Sequence, residues 1–374
     1  MEGDSGMKIT IGRQDLLDAV NKVKTVVSPK SALPILSHIL METGESQVRL
    51  TATDLKISIE CSVDCTVEEP GSLTVSSQRL SSIVSELPGG DIQLALAESN
   101  VVTLKAGKIE TKLFSMSPDE FPPMRSFDHV EPIIFQQSML KGLFSKTSFA
   151  ICSDQTRYNL TGLLFEIQDG RATVVATDGR RMSLCMESEN IPQGLSIKVI
   201  IPGKMIAELE RLLSGDGEVK LFFDETQAAF VFDSNRLVSA LIEGTFPNYD
   251  MVIPKKHDKE ACMNTAAFME AIRRTRTMTN DKFNSVRFMF DNDRLTLRVV
   301  TPEVGEYLEE MQAEYSGEPM EIAFNPDFIL DALRHIDTPK TCLVLKDGMS
   351  PGLVKPFADG PVDNYLNIVM PIRI

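Results

Sequence analysis

The stretches “LTATDLK” (50–56) and “VVATDGR” (174–180) say nearly the same thing twice, with 124 residues between Asp54 and Asp178. One more step of that length reaches “RLTLRVVTPEV”, where Val299, Val300 and Thr301 keep the apolar-apolar-Thr rhythm and Pro302 replaces the Asp. A third of the 374-residue chain is about 125, so spacing and length agree. The chain reads as one domain written three times.

The repetition extends well beyond this motif. Helix-period segments precede each copy at 13–27, 138–151 and 266–279, with Leu140, Leu143, Phe144 and Ile151 recurring at three- and four-residue steps in the second. A second helix follows at 77–87, 203–213 and 327–336, closed by Pro88-Gly89-Gly90, Gly215 and Pro339. Phe121 of “DEFPPM” and Phe246 of “GTFPNYD” stand 125 apart. Between the helices the period falls to two, as in Val48, Leu50, Ala52 and then Leu55, Ile57, Ile59, Cys61, Val63. Such alternation marks strands with one buried face, and the short Gly, Asn and Asp punctuation favours antiparallel hairpins. Each unit is therefore α+β, with helices on one side of antiparallel sheets. A period this long exceeds that of a solenoid repeat. The boundaries expected are an unstructured leader at 1–6 and domains at 7–126, 127–254 and 255–374.

Composition is that of a globular protein, with 43% hydrophobic and 24% charged residues. “MEGDSGMKIT” has no apolar core, so no secretory leader is expected, and no run is long enough to span a membrane. Six cysteines without close pairing, Cys61 and Cys65 apart, suggest a reducing compartment, with the cytoplasm as default. His38, His129, His257 and His335 are scattered, and Cys61-x3-Cys65 lacks a second Cys/His pair, so neither catalysis nor a metal is expected. “GLFSKT” at Gly142 has the flavour of a phosphate loop but lies in an amphipathic helix without the Gly-rich turn. Asp178 beside Arg180 and Arg181 could serve a phosphate. A motif that loses its Asp in the third copy better fits a turn in which the carboxylate binds backbone N–H groups.

The repeated “TATDLK” and “VATDGRR”, “SALPIL” at Ser31, “RYNLTGLLFE” at Arg157, “FPNYDMVIPK” at Phe246, “NDKFNSVRF” at Asn280 and the terminal “VMPIRI” together resemble the bacterial sliding clamp, the beta subunit of DNA polymerase III. The resemblance runs from Met7 to Ile374. It implies the DNA-clamp fold and a head-to-tail homodimer whose two chains close a six-domain ring around duplex DNA. It also implies a non-catalytic processivity factor without cofactors. Its partners would be the replicative polymerase, the clamp loader, and other polymerases and repair proteins carrying clamp-binding motifs.

A net charge of −15 runs against DNA binding, but its distribution matters more. The six helices carry 12 basic and 8 acidic residues, a mildly positive lining in an acidic body. Lys141, Lys146, Lys204, Arg273, Arg274 and Arg276 are the helix candidates for DNA contact. The resemblance adds Lys30, Arg157 and Tyr158 from loops. It places a client-peptide pocket at Leu160, Thr177, Gly179, Arg181, Met182, Pro247, Val252, Asn325, Phe328, Val369, Met370, Pro371 and Arg373, where flexible Met suits varied partners. Pro371 should end strand pairing near the C-terminus. The dimer contact implied joins Lys108, Thr111 and Leu113 to Thr277 and Met278. Two other readings remain at this point: a monomeric peptide-binding scaffold, and a three-domain enzyme for which no acid/base set is visible.

Overall fold

The computed structural model describes residues 6–27, 32–97, 100–254, 258–358, 362 and 364–373. Its element order repeats three times. The first pass is β1 (Lys8–Gly12), α1 (Arg13–Val23), β2 (His38–Thr43), β3 (Gln47–Thr53), β4 (Ile57–Asp64), β5 (Thr66–Glu69), β6 (Ser72–Ser76), α2 (Ser77–Glu86), β7 (Asp91–Ala97), β8 (Val101–Ala106) and β9 (Ile109–Phe114). The second is β10 (Ile133–Gln136), α3 (Gln137–Ser145), β11 (Gly162–Gln168), β12 (Arg171–Thr177), β13 (Arg181–Glu187), β14 (Ile197–Pro202), α4 (Gly203–Leu212), β15 (Glu218–Phe223), β16 (Gln227–Phe232) and β17 (Asn235–Ala240). The third is β18 (Lys259–Asn264), α5 (Thr265–Arg276), β19 (Val286–Asp291), β20 (Arg294–Thr301), β21 (Gly305–Gln312), β22 (Glu314–Ser316), β23 (Met320–Phe324), α6 (Pro326–Leu333), β24 (Lys340–Leu345), β25 (Gly352–Phe357) and β26 (Tyr365–Val369).

The helices are where the apolar periodicity puts them. Leu140, Leu143 and Phe144 of α3 are buried, as are Leu80 and Val84 of α2. The expected 13–27 and 138–151 helices are shorter as α-helix: α1 and α3 stop at Val23 and Ser145, and each is followed by a single 3₁₀ turn, at Lys24–Val26 and Ser148–Ala150. Sequence chemistry sets several ends. The Asn264 side chain caps α5 by accepting from the Ala267 N–H at 2.9 Å, and Asn325 caps α6 by accepting from the Asp327 N–H at 2.8 Å. Pro326, in the first turn of α6, lacks only an N–H that no helical carbonyl would have received.

The repeated Thr-Asp motif is a turn. Asp54 Oδ1 accepts from the N–H groups of Lys56 and Ile57, and Asp178 Oδ1 accepts from those of Arg180 and Arg181, all within 3.0 Å. The preceding threonines do matching work, since Thr53 Oγ1 donates to the Ile57 carbonyl and Thr177 Oγ1 to that of Arg181. Leu55, read from the alternation as a strand residue, is instead the left-handed residue of the first turn (φ 75°) and is exposed; Gly179 holds the same place in the second (φ 82°). In the third copy Glu303 takes the left-handed position (φ 65°), and Thr301 Oγ1 donates to the Met278 carbonyl.

The chain divides into two compact units, 1–138 with 211–241, and 139–210 with 242–374. The first contains a five-stranded sheet, β5-β1-β7-β8-β9, and an eight-stranded sheet, β10-β15-β16-β17-β4-β3-β2-β6. The second contains a nine-stranded sheet, β14-β11-β12-β13-β26-β25-β24-β18-β22, and a four-stranded sheet, β21-β20-β19-β23. Among the described residues every pairing is antiparallel, and two junctions splice different repeats: β17 onto β4 and β26 onto β13. Among the described residues β9 pairs only with β8, and β21 only with β20.

The sequence reading took six cysteines, with only Cys61 and Cys65 close together, to suggest a reducing compartment. The structure joins Cys262 on β18 to Cys342 on β24, directly opposite in the ladder and 80 residues apart. Cys61, Cys65, Cys152 and Cys185 remain thiols.

Candidate functional site

In the second unit a cleft of about 150 Å³ opens between the Thr-Asp turn of β12–β13, the segment after β17, and the end of β26. Its lining brings together Leu160, Thr177, Gly179, Arg181, Met182, Pro247, Val252 and Met370, eight of the thirteen positions named from the sequence. Phe246, Asn248, Tyr249 and Ile368 also line it and were not anticipated. Beneath it Leu160, Met182, Phe246 and Ile368 continue into a buried cluster with Val344 and Leu353. This floor follows from register, since Met182 pairs with Ile368, Ile368 with Leu353, and Leu353 with Val344 across neighbouring strands. Side chains directly opposite in a ladder share a face.

One wall is the segment 244–252, held by the Asn159 amide donating to the Thr245 carbonyl at 2.9 Å. Tyr249 packs on the floor cluster and donates its hydroxyl to Glu166 at 3.1 Å. Burial, and then the Glu166 carboxylate, hold its phenol well above the usual range, so it stays protonated. Met251, Val252 and Met370 leave much of their surface exposed around the cleft. Large apolar side chains gathered in this way at a concave site are the usual mark of a ligand surface.

Arg181 is the fixed polar element. Its Nε meets Asp178 at 3.1 Å, one terminal nitrogen meets Asp331 at 2.5 Å, and the other donates to the Phe149 carbonyl at 2.6 Å. The guanidinium lies 4.7 Å from the Phe328 ring centre, which places Phe328 behind the cleft and not in its lining. With two carboxylates satisfied, Arg181 contributes shape more than charge. The other predicted members also fall outside the lining. Val369 is buried in β26 opposite Arg181, Asn325 caps α6, and Asn325 and Arg373 line a neighbouring groove. Pairing in β26 stops at Val369, immediately before the Met370-Pro371 step. The chain beyond is tied by the Met370 N–H to the Arg180 carbonyl at 2.9 Å and by the Ile372 N–H to the Ala323 carbonyl at 2.8 Å.

The cations named for DNA contact have varied surroundings. Arg274 is held by Glu309 at 2.5 Å, and Arg276 is paired with Asp327. The bond from Arg274 keeps the Glu309 carboxyl below its usual range. Arg273 is exposed and has no ion pair among the described residues. Lys204 is exposed at the start of α4, Lys141 is half-buried on α3, and Lys146 lies 5.5 Å from the Tyr365 ring centre. Arg157 donates to the Asp178 carbonyl at 2.5 Å, and Tyr158 is exposed beside it. Lys30 lies outside the described residues. The dimer residues Thr111 and Leu113 sit on β9 with Lys108 just before it, while Thr277 and Met278 follow α5.

Three family models for the DNA polymerase III beta subunit match the chain in order: the N-terminal domain at 7–125, the central domain at 134–248 and the C-terminal domain at 250–373. The chain belongs to the DNA polymerase III beta subunit family. Among curated relatives, the beta sliding clamp of Pseudomonas aeruginosa is 34% identical over 370 residues, covering 98% of this chain and 100% of the relative. That of Chlamydia muridarum is 32% identical over 368 residues, covering 98% and 99%. The solved sliding clamp of Pseudomonas aeruginosa bound to griselimycin superposes with a TM-score of 0.94 at 34% identity, covering 99% of this chain and 100% of that one. The Bacillus subtilis sliding clamp gives 0.94 at 27% identity, covering 98% and 99%. Function in this family is that of a DNA sliding clamp, a processivity factor of replication and not a catalyst. Among the described residues no helix is long and apolar enough to cross a membrane.

Proposed function

We propose that two copies of this chain close into a ring around duplex DNA in the cytoplasm. The ring tethers the replicative polymerase and, through the apolar cleft, receives peptide motifs of the clamp loader, other polymerases and repair proteins. The repeats, bounded near 126/127 and 254/255, are its six domains. The observation that carries this reading is the pattern of sheet junctions. The last strand of the second repeat pairs with the third of the β-meander in the first, β17 on β4, and the last of the third repeat with its counterpart in the second, β26 on β13. The remaining pair in that cycle is β9 and β21, whose outer edges have no partner among the described residues. A second copy, meeting the first head to tail, satisfies both edges twice and closes the assembly.

Register supports the same reading. Asn235 faces Cys61 in one junction and Tyr365 faces Cys185 in the other. Leu297 of β20 holds the place of Leu50 and Val174, the partners of Cys61 and Cys185, so carried over to β9 and β21 this register sets Ile109 opposite Glu309 and Leu113 opposite Gly305. Ile109 is 43% exposed in the single chain, an unfavourable state that a strand added on this edge relieves. The dimer contact thus falls on β21 as well as on the Thr277–Met278 region inferred from the sequence.

Lys112→Pro removes an outward-pointing backbone donor from β9, since the bonds to β8 use the N–H groups of Ile109, Thr111 and Leu113. Mass photometry should then report single chains where the wild type reports pairs, with unchanged helix content. A variant that stays paired would sink the β9–β21 closure. For the cleft, Met370→Ala should weaken a client peptide at least about tenfold by fluorescence anisotropy, the equivalent of about 1.4 kcal/mol. Unchanged affinity would remove the cleft from the mechanism.

A further inference from the structure

Next to the apolar cleft lies a wider groove of about 650 Å³, lined by Arg180, Lys282, Phe283, Arg298, Val300 and Arg373 among others. The two are continuous along the chain. Gly179 and Arg181 line the cleft while Arg180 between them lines the groove, and Met370 lines the cleft while Ile372 and Arg373 line the groove. The hydrogen bonds of Met370 to Arg180 and of Ile372 to Ala323 fix this crossing.

The groove's charge is unlike that of the rest of the protein. Of its cations, Arg287 is paired with Glu321 at 2.9 Å and Arg298 with Glu306 at 2.6 Å. The side chains of Arg180, Lys282 and Arg373 have no carboxylate partner among the described residues, and Asp281 is the one acid in the lining. Three unneutralised cations therefore converge on one concavity in a chain of net charge −15. Between them Phe283 and Val300 are 45% and 56% exposed. The turn carrying Lys282 and Phe283 is held by Asn280 Oδ1, which accepts from both of their N–H groups at 3.0 Å.

We propose that this groove binds an acidic segment, containing an apolar residue, that flanks the anchor a client peptide places in the cleft. The inference rests on the peptide-binding reading of the cleft and adds a specificity determinant to it. The cations supply charge complementarity, and Phe283 and Val300 supply a surface for one apolar side chain. A phosphate backbone would use the cations and leave those two side chains idle, so a peptide is the better match. Each exposed ion contact contributes little alone and is screened by salt, so the effect is modest, cumulative and salt-dependent.

The test uses the full-length protein and two labelled synthetic peptides sharing a Leu-Leu anchor. One carries an Asp-Glu-Asp-Leu flank and the other a Ser-Gly-Ser-Gly flank, each made with the flank on either side. The acidic flank should tighten binding about tenfold at low salt, an advantage that shrinks at high salt. Lys282→Glu should cut that advantage to about twofold or less and leave the neutral peptide unaffected. Met370→Ala should weaken both peptides. If Met370→Ala weakens both but the acidic flank brings no advantage, the groove inference fails and the cleft reading stands. If Met370→Ala weakens neither, the cleft reading fails and takes this one with it. An advantage that survives Lys282→Glu places the acid elsewhere and overturns the proposal. So does a Lys282→Glu variant that loses retention on duplex DNA with its peptide preference intact.

Discussion

Asp54 and Asp178 illustrate how a carboxylate that looks catalytic can be structural. Each spends one oxygen on two backbone N–H groups that the turn leaves without a strand partner. Asp54→Ala should therefore destabilise the protein by about 1–3 kcal/mol, the cost of abandoning such donors, and leave cleft affinity unchanged. Thermal denaturation together with peptide anisotropy separates the two effects. Arg181 predicts the opposite balance. Removing it strands Asp178 and Asp331 and takes away the ring contact with Phe328, so Arg181→Ala should lower both stability and peptide affinity. Titration enters through His335, stacked on Phe149 at 4.9 Å between ring centres. Burial holds its imidazole below the usual value, against the pull of Asp331 and Asp337. The unfolded chain thus binds a proton that the folded state resists. The stability this contributes is present above about pH 6.5 and is lost as pH falls toward the folded value. His335→Phe keeps the stack and should flatten the decline in melting temperature between about pH 7 and 5.5. His38, also depressed by burial, adds to the decline, and Glu210, whose carboxyl burial pushes up, opposes it. The difference between wild type and variant isolates the His335 share.

At the scale of elements, apolar spacing located all six helices, because a buried helical face needs contacts every three or four residues whatever it packs against. It overran at Val23 and Ser145, since a 3₁₀ turn continues almost the same spacing of buried side chains. The wall of the cleft was less legible. Phe246 and Tyr249 sit in an irregular segment with no period, and only their packing against strands from other parts of the chain makes them lining residues. The disulfide was invisible for a related reason. Cys262 and Cys342 are 80 residues apart and become neighbours only through the β18–β24 register. Thiol titration of the unfolded protein should count the four remaining cysteines without reductant and six after reduction. In the chain-entropy account, closing a loop of this length stabilises by up to about 4–5 kcal/mol, so a reductant should lower the denaturation midpoint. An unchanged midpoint would show that the staple constrains little.

For the whole molecule, charge and topology divide the work. Helix cations such as Arg274 and Arg276 already hold carboxylates, which tempers their pull on phosphates. A protein that depended on phosphate contacts would lose affinity steeply with salt. One held by encirclement should not: once closed on circular DNA it should remain bound through a rise in salt and leave when the circle is cut. Release from the intact circle at moderate salt would point to ordinary electrostatic binding.

The sequence by itself determined the threefold repeat, the α+β class, the helix faces, the Thr-Asp turns and the family resemblance. All of these depend on local spacing or on ordered motifs that survive in one dimension. Only the tertiary structure decided which strands splice one repeat to another, which edges are left unpaired, which of the thirteen proposed pocket residues line the cleft, which the groove and which neither, and that two distant cysteines meet. Those outcomes depend on strand register, and register is set by which faces find burial once the whole sheet has assembled.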